Sequence, residues 1–312
     1  MKYYSICGLL AAAALCAAIL PRAAMAHGFV GDRFFPPTIA TDDPFAVDEL
    51  SLPSVQTFRN PGSPITRETD IGGEFDKELL PGWDLEFSDE FTDLDPKGGG
   101  STNGWQNFDL GTKLQLFQND EHEFIFSAGL DWSIGDTGGK SIGVDSFSTF
   151  TPEILFGKGF GDLPDSLSAL KPLAVTTQIG EDFPTEAADP NALEWGIAVE
   201  YSLIYLEEHV KDTGLAEPFR HMIPLVEFAM TTPENRGGGQ TTGTINPGVL
   251  YESRYFQLGA EAVIPVNSHS GPTVGFLINL NIFIDDIWPK VFGHPLFGGG
   301  ESTTAETPVS TK

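Results

Sequence analysis

Cysteine is nearly absent from this chain, which has Cys7 and Cys16 and no others. Both lie in the first 26 residues, where a basic start at Lys2, an apolar run and the ending Ala24-Met25-Ala26 have the pattern of a cleaved secretory signal peptide. We therefore expect residues 1–26 to be removed and the mature chain to leave the cytoplasm by Sec-type export. A mature chain without cysteine has neither a disulfide framework nor thiol chemistry.

Basic residues are also few: the 312 residues include 17 Lys and Arg against 44 Asp and Glu, for a formal net charge of −27. Binding to nucleic acid depends on Lys and Arg that neutralise phosphate, so this balance excludes a nucleic-acid partner. Long apolar runs are lacking after residue 26, which excludes a transmembrane helix, because such a helix needs about 20 apolar residues. Glycine (35) and proline (23) are abundant, which fits many strands joined by turns.

The clearest pattern in the chain is the alternation in TVGFLINLNIFIDDI (273–287). Every even-numbered residue from Val274 to Ile284 is apolar, and the other face carries Gly275, Asn279, Asn281 and Asp285. A period of two predicts a β-strand whose two faces meet different surroundings. The same alternation is strong in 83–91, 107–116, 123–134, 192–206 and 255–266, and weaker in 68–76, 147–158, 171–181, 218–231 and 244–252.

Two folds bury such strands: a soluble sandwich, or an outer-membrane barrel whose apolar faces meet lipid. The strong segments are long enough for membrane strands of ~9–11 residues, whereas strands in soluble domains average ~5–6. Trp83, Phe124, Trp132, Trp195 and Tyr205 lie near the ends of the apolar faces, where aromatic residues meet the lipid boundary. The opposite faces are rich in glycine and carboxylates, which suit a lumen better than a dry core.

The number of strands that we predict follows from the rule that single-chain bacterial barrels have an even number of strands. The eleven segments therefore need a twelfth, and 49–58 is the candidate. We predict an all-β fold: a transmembrane up-and-down antiparallel β-barrel of about 12 strands at 47–287, with an irregular N-terminal arm at 27–46 and a flexible C-terminal tail at 288–312. The connectors 159–170 and 207–217 are long for periplasmic turns.

The charges that alternation turns inward are the candidate functional residues. Within a lumen they would favour cations or neutral solutes over anions, or they would pair with the few bases and fill a narrow barrel. The N-terminal arm offers a candidate plug in Phe29, Phe34, Phe35 and Phe45, although it could equally pack beneath the barrel. The candidate lumen-lining residues are Asp84, Glu86, Asp109, Lys113, Glu123, Asp131, Glu194, Glu200 and Glu261.

The sequence shows no clear catalytic or metal-binding motif. His27 could chelate copper at a mature N-terminus, but the other histidines show no ligand spacing, and no Ser–His–acid arrangement stands out. We therefore predict no catalytic residue, no metal site and no cofactor, and we expect a protein that is not an enzyme.

The stretch HGFVGDRFFPPTIATDDPFAVDELSLPS (27–54) resembles the start of uncharacterised proteobacterial outer-membrane barrels, which are loosely similar to the transporter-like barrels of the phenol-degradation (meta-pathway) family. Thr273, Gly275, Ile278 and Leu280 also resemble the β-signal that barrel-assembly machinery reads. The resemblance implies a Gram-negative outer-membrane location, with membrane lipid and that machinery as partners. The expected function is a channel or transporter for small hydrophobic or neutral molecules; the alternatives are a non-conducting structural or surface-binding scaffold and, third, an outer-membrane enzyme.

Overall fold

The computed structural model describes residues 28–235 and 237–298. The predicted signal peptide, His27 and the last part of the predicted tail lie outside the described residues. Fifteen strands are present among the described residues, and twelve of them form the barrel. Their bounds are β1 (Phe29–Val30), β2 (Arg33–Phe34), β3 (Glu49–Asn60), β4 (Thr66–Leu80), β5 (Trp83–Pro96), β6 (Thr102–Trp105), β7 (Phe108–Asn119), β8 (Phe124–Ile134), β9 (Thr149–Gly159), β10 (Leu173–Pro184), β11 (Ala192–Tyr201), β12 (Met222–Pro233), β13 (Thr242–Glu252), β14 (Phe256–Pro265) and β15 (Gly275–Ile282).

The sheet closes on itself. Each barrel strand pairs antiparallel with its neighbours in chain order, β15 returns to pair with β3, and β4 pairs with β5. The short β6 adds to the end of β5 and is not a barrel strand. Closure satisfies the backbone hydrogen bonds of every strand and leaves no open sheet edge, which a hydrocarbon environment requires. The predicted twelve-strand antiparallel barrel is confirmed.

The outer face of the barrel is apolar, as the alternation predicts. In β15, Phe276 and Ile278 are 49 % and 44 % exposed, whereas Asn279 and Asn281 on the opposite face of the strand are buried. Exposing a large apolar side chain to water costs about 1.5–3 kcal/mol, and a lipid environment removes that cost. The outer wall therefore suits a bilayer, and the inner wall carries the polar groups.

The two ends of the barrel differ. At what we call the lower end, β3 begins and β15 ends, and the connections are 81–82, 120–123, 160–172, 202–221 and 253–255. At the upper end, the connections are 61–65, 97–107, 135–148, 185–191, 234–241 and 266–274. The described helices are short: a 3-10 helix (Asp165–Leu170), an α-turn (Leu203–Tyr205) that continues as a π-turn (Leu206–Val210), a 3-10 turn (Phe219–His221) and an α-turn (Ile284–Ile287). Across the described residues, none of these helices reaches the length and hydrophobicity that a membrane span requires.

Two strands end earlier than the alternation predicts. β11 ends at Tyr201, because the Ser202 side chain accepts a hydrogen bond from the Tyr205 backbone N–H (3.1 Å) and caps a helical turn. Tyr205 is therefore buried at the lower end and does not belong to the outer aromatic belt. β15 likewise ends at Ile282, so Asp285 lies in a helical turn and not on the inward face of the strand.

Residues 288–298, the described part of the predicted tail, lie against the lower rim. The backbone N–H groups of Leu296 and Phe297 donate to the carbonyls of Glu78 and Leu79 at 3.0 and 2.8 Å, at the end of β4. This segment therefore adds a short paired stretch to the lower edge of the barrel.

Candidate functional site in the barrel lumen

The N-terminal segment 28–48 enters the lumen from the lower end and then returns to the lower end, where β3 begins. We call this segment the arm; it comprises the described part of the predicted arm and the two residues that precede β3. It starts with the β1–β2 hairpin, which Arg33 fixes in place. The Arg33 side chain is fully buried; its Nε donates to Glu123 Oε2 at 3.2 Å and its Nη1 to the Pro172 carbonyl at 3.0 Å. A buried guanidinium is stable only when a carboxylate balances its charge and acceptors bind its N–H groups. Glu123 supplies the charge, and Glu123 and the Pro172 carbonyl supply acceptors.

The two long connectors at the lower end form the seat of this hairpin. Connector 160–172 provides the Pro172 carbonyl, and connector 202–221 provides Tyr205, whose ring lies 3.7 Å from the Arg33 guanidinium carbon. Tyr205 also donates through its hydroxyl to Glu123 Oε1 at 2.9 Å. Burial, and next this hydrogen bond, raise the pKa of the Tyr205 phenol above its ordinary value. The unusual length of both connectors thus has a structural reason.

The candidate plug phenylalanines pack together at the lower end. Phe35 and Phe45 lie with ring centroids 5.8 Å apart in a buried cluster with Val30, Ile125 and Ala174. Phe29 and Phe34 lie 5.2 Å apart in the hairpin above the seat. A Cβ on Gly157 would lie 3.1 Å from the Phe35 ring, so the barrel wall is glycine where this ring meets it. Most of these rings fill space at the lower end, and Phe45 also borders the cavity that remains beside the arm.

The tip of the arm docks on Glu227 in the middle of β12. The Glu227 carboxylate accepts from the backbone N–H groups of Ile39 (3.0 Å) and Ala40 (2.9 Å) and from the Thr41 hydroxyl (3.0 Å). Glu227 is fully buried. A carboxylate that accepts three hydrogen bonds from one turn of chain holds that turn in a single position.

Asp42 connects the tip to the opposite wall. Lys113 Nζ lies 2.9 Å from Asp42 Oδ1 and 3.0 Å from Glu86 Oε1, and the Asp42 backbone N–H donates to Gln178 Oε1 at 3.0 Å. Lys113 is 4 % exposed, whereas the side chains of Glu86 and Asp42 are 14 % and 33 % exposed, so the base is buried and its carboxylate partners are partly exposed. Together with Glu227, these contacts suspend the tip across the lumen between β7, β10 and β12.

A cavity of about 840 Å³ remains beside the arm, against the wall formed by β3, β4 and β5. It extends from the lower part of that wall up to residues 142–145 of the upper connection 135–148. Of the described residues that line it, Lys113 is the basic one, and the carboxylates are Asp42, Asp43, Glu49, Glu74, Asp76, Asp84, Asp89, Glu90, Asp109, Asp145 and Glu194. The cavity is therefore strongly negative and polar.

The upper mouth is narrowed by connection 135–148, which folds onto the β5–β7 connection. Asn107 Nδ2 donates to the Asp145 carbonyl at 2.9 Å, and the Gly139 N–H donates to the Trp105 carbonyl at 2.7 Å. The Ser141 hydroxyl adds a third bond, to the Asn103 carbonyl at 2.8 Å. A solute that entered from this end would pass these residues first.

The structure places the predicted lumen residues in three groups. Asp84, Asp109, Lys113 and Glu194 line the cavity, Glu86 borders it through Lys113, and Asp131 meets Glu86 across Gly111, where a Cβ would collide with both carboxylates. Glu200 and Glu261 are buried on the inner wall. Glu123 precedes β8 and lies beneath the arm hairpin, not on the wall of the lumen.

Several site residues escaped the sequence analysis. Glu227 lies in a weakly alternating segment, and Asp42 lies in the arm, where only the phenylalanines were singled out. Arg33 could have been identified from the sequence, because bases are rare in this acidic chain and an arginine among apolar residues predicts a buried ion pair with a carboxylate.

In the described part of the chain, histidines and carboxylates are the candidate ligands for a metal site. No group of three or more His, Cys, Asp or Glu side chains there is arranged to hold a metal ion. His122 Nδ1 lies 3.1 Å from Asp162 Oδ2, and His221 Nε2 lies 3.4 Å from Glu217 Oε1, both at the lower end.

No protein-family model and no curated protein matches the sequence. Solved structures do match the fold. An outer-membrane channel from Pseudomonas putida F1 has a TM-score of 0.50 and 13 % identity, with 80 % of this chain and 98 % of that chain covered. This is the fold of a bacterial outer-membrane β-barrel. Among other outer-membrane barrels, NanC porin has a TM-score of 0.44 with 10 % identity over 74 % of this chain and 98 % of that chain, and KdgM porin 0.41 with 10 % identity over 76 % and 98 %.

Proposed function

We propose that this protein is an outer-membrane channel for small solutes, with the arm as an internal plug that narrows the lumen. The observation that carries the proposal is the cavity of about 840 Å³ that remains beside the docked arm. A barrel that served only as a scaffold would gain stability from a filled interior, since every unfilled space forfeits packing contacts. The lower end, where β3 begins and β15 ends, would lie in the periplasm.

Selectivity would come from the charge of the lumen. Carboxylates far outnumber bases along the cavity, so anions would be repelled and cations or neutral polar solutes admitted. The sequence suggested hydrophobic or neutral solutes on the strength of the arm phenylalanines. Phe35 and Phe45 are buried in the cluster with Val30, and only Phe45 of these two borders the cavity, whose lining is mostly carboxylates. Neutral polar and cationic solutes therefore have stronger support than hydrophobic ones.

A non-conducting scaffold is the second candidate, and the docking of the arm favours it. The three hydrogen bonds to Glu227 and the Lys113 ion pairs cross the lumen at mid-height. If these contacts never release, the barrel would hold a closed lumen and present its upper loops to the surroundings.

Single-channel recording in planar bilayers separates these functions. We would compare the mature protein with a variant that lacks residues 27–46, and would measure conductance and the reversal potential in a KCl gradient. A channel with a plug predicts small cation-selective steps that grow after the deletion. Heat-modifiable migration in gels serves as the control for insertion and folding of both proteins. Silence in both, with correct folding shown, would refute the channel and leave the scaffold.

A further inference from the structure

The wall of the cavity formed by β3, β4 and β5 is acidic, and the two neighbouring bases, Lys77 and Lys113, are already paired with other carboxylates. Glu74 and Asp76 project from β4 and Asp84 from β5, and Asp76 pairs in register with Glu49 on β3. The cavity base, Lys113 on β7, is bound to Asp42 of the arm and to Glu86 on β5, and its backbone N–H donates to Asp84 Oδ1 at 2.8 Å. The neighbouring Lys77 is held at the lower rim by Asp48, with Nζ 2.5 Å from Oδ2.

Two buried acceptors at this wall have no hydrogen-bond donor. Asp76 Oδ1 and Asn279 Oδ1 are without a partner, and the two residues are 9 % and 4 % exposed. Both residues line the cavity, and Asn279 comes from β15, a strand that does not belong to the acidic cluster. A buried acceptor without a donor destabilises the protein, so a ligand that brings N–H groups would remove that penalty.

Glu74 is the residue of this wall that a solute in the cavity can reach directly. It is exposed to the lumen, whereas Asp76 and Asn279 lie buried around it. Asn279 is joined to this group through Ser51, whose hydroxyl accepts from Asn279 Nδ2 at 3.4 Å and whose backbone pairs in register with Glu74. The arrangement thus offers one accessible carboxylate and two buried oxygen acceptors on β4 and β15, which flank β3 and so lie about 10 Å apart, with Ser51 of β3 between them.

We propose that this wall binds the ammonium group of a small aliphatic amine, a diamine in particular, as the solute of the channel; the inference rests on the proposed function and specifies its solute. An ammonium provides three N–H donors and a positive charge, which match acceptors that are carboxylate and amide oxygens. A chelated metal ion fits less well, because the described residues contain no metal-binding group of three ligands. A second ammonium would meet Asp84 on β5, a carboxylate of the same wall.

Isothermal titration of the detergent-purified mature protein tests the proposal with 1,4-diaminobutane as probe and 1,4-butanediol as its neutral isostere. We expect saturable binding of the diamine and none of the diol. Asp76→Asn and Glu74→Gln should each weaken diamine binding about tenfold, the order expected for one lost charge contact in a partly hydrated site. Asn279→Leu, which changes no charge, should weaken it severalfold through the lost acceptor.

Glu194→Gln is the matched control, because Glu194 lines the same cavity from β11, away from this wall. It should change diamine binding by less than about threefold. Equal weakening by Glu194→Gln and Asp76→Asn, or equal binding of diol and diamine, would overturn the site in favour of diffuse negative charge. If a carboxylate variant does not fold, Asn279→Leu decides the test: unchanged diamine binding in this variant would overturn the site. Conductance without diamine binding would refute the site alone, and diamine binding in a silent barrel would refute the channel alone.

Discussion

Substituting Glu227 by Gln should release the tip of the arm without disturbing the barrel. The carboxylate accepts from Ile39, Ala40 and Thr41 through both of its oxygens. The glutamine amide has nearly the same shape, but one oxygen becomes an NH₂ group that faces an N–H donor. At least one hydrogen bond is therefore lost, and the remaining ones no longer involve a charge.

The magnitude follows from those bonds. A hydrogen bond to a charged group contributes ~1.5–3 kcal/mol and one between neutral groups ~0.5–1.5 kcal/mol. At the low end of both ranges, losing one of three bonds and weakening the other two by about 1 kcal/mol each gives a loss of about 3.5 kcal/mol in the free energy that docks the tip. At 1.4 kcal/mol for each factor of ten, the undocked population should rise at least ~100-fold.

Hydrogen exchange at the backbone amides of Ile39 and Ala40 measures that population directly, because each amide is protected only while the tip is docked. Exchange at both should be at least ~100-fold faster in Glu227→Gln and unchanged in Glu194→Gln, whose carboxylate is not among the hydrogen-bond partners of the arm. Unchanged protection of Ile39 and Ala40 in Glu227→Gln would show that Glu227 does not hold the arm, and our account of the plug would be wrong.

Three further outcomes are expected. Lys113→Met leaves Glu86 and Asp42, which are 14 % and 33 % exposed, without their base, so the temperature of heat modification should fall; a fully buried pair costs about 3–5 kcal/mol when broken, and the partial exposure of both carboxylates reduces that loss. Gly196→Ala places a Cβ 2.6 Å from a methyl carbon of the arm and should speed amide exchange in the arm, whereas Gly100→Ala, which meets nothing within 4 Å, should not. Because the pKa of Tyr205 is raised in the folded protein, the unfolded chain loses this proton first, near pH ~10; stability should fall above that pH in the wild type, and less in Tyr205→Phe, as followed by thermal melts.

The strands of this barrel could be predicted from the sequence because their faces repeat every two residues. In β15 the alternation alone separates Phe276 and Ile278, which face outward, from Asn279 and Asn281, which face inward. The prediction failed where alternation continued past the strand end, as at Tyr205. There the cap from Ser202 turns the backbone into a helix, and an apolar pattern of a few residues cannot distinguish the two conformations.

The arm had no period, so its path through the lumen could not be predicted. That path depends on partners far away in the chain, such as Glu227 for Ala40 and Lys113 for Asp42. The sequence by itself determined which residues face inward, since side-chain direction in a strand is a local property of the backbone. Only the tertiary structure decided which inward carboxylates receive a base and which border an open cavity, because closing the barrel and threading the arm through it bring distant residues within hydrogen-bond distance.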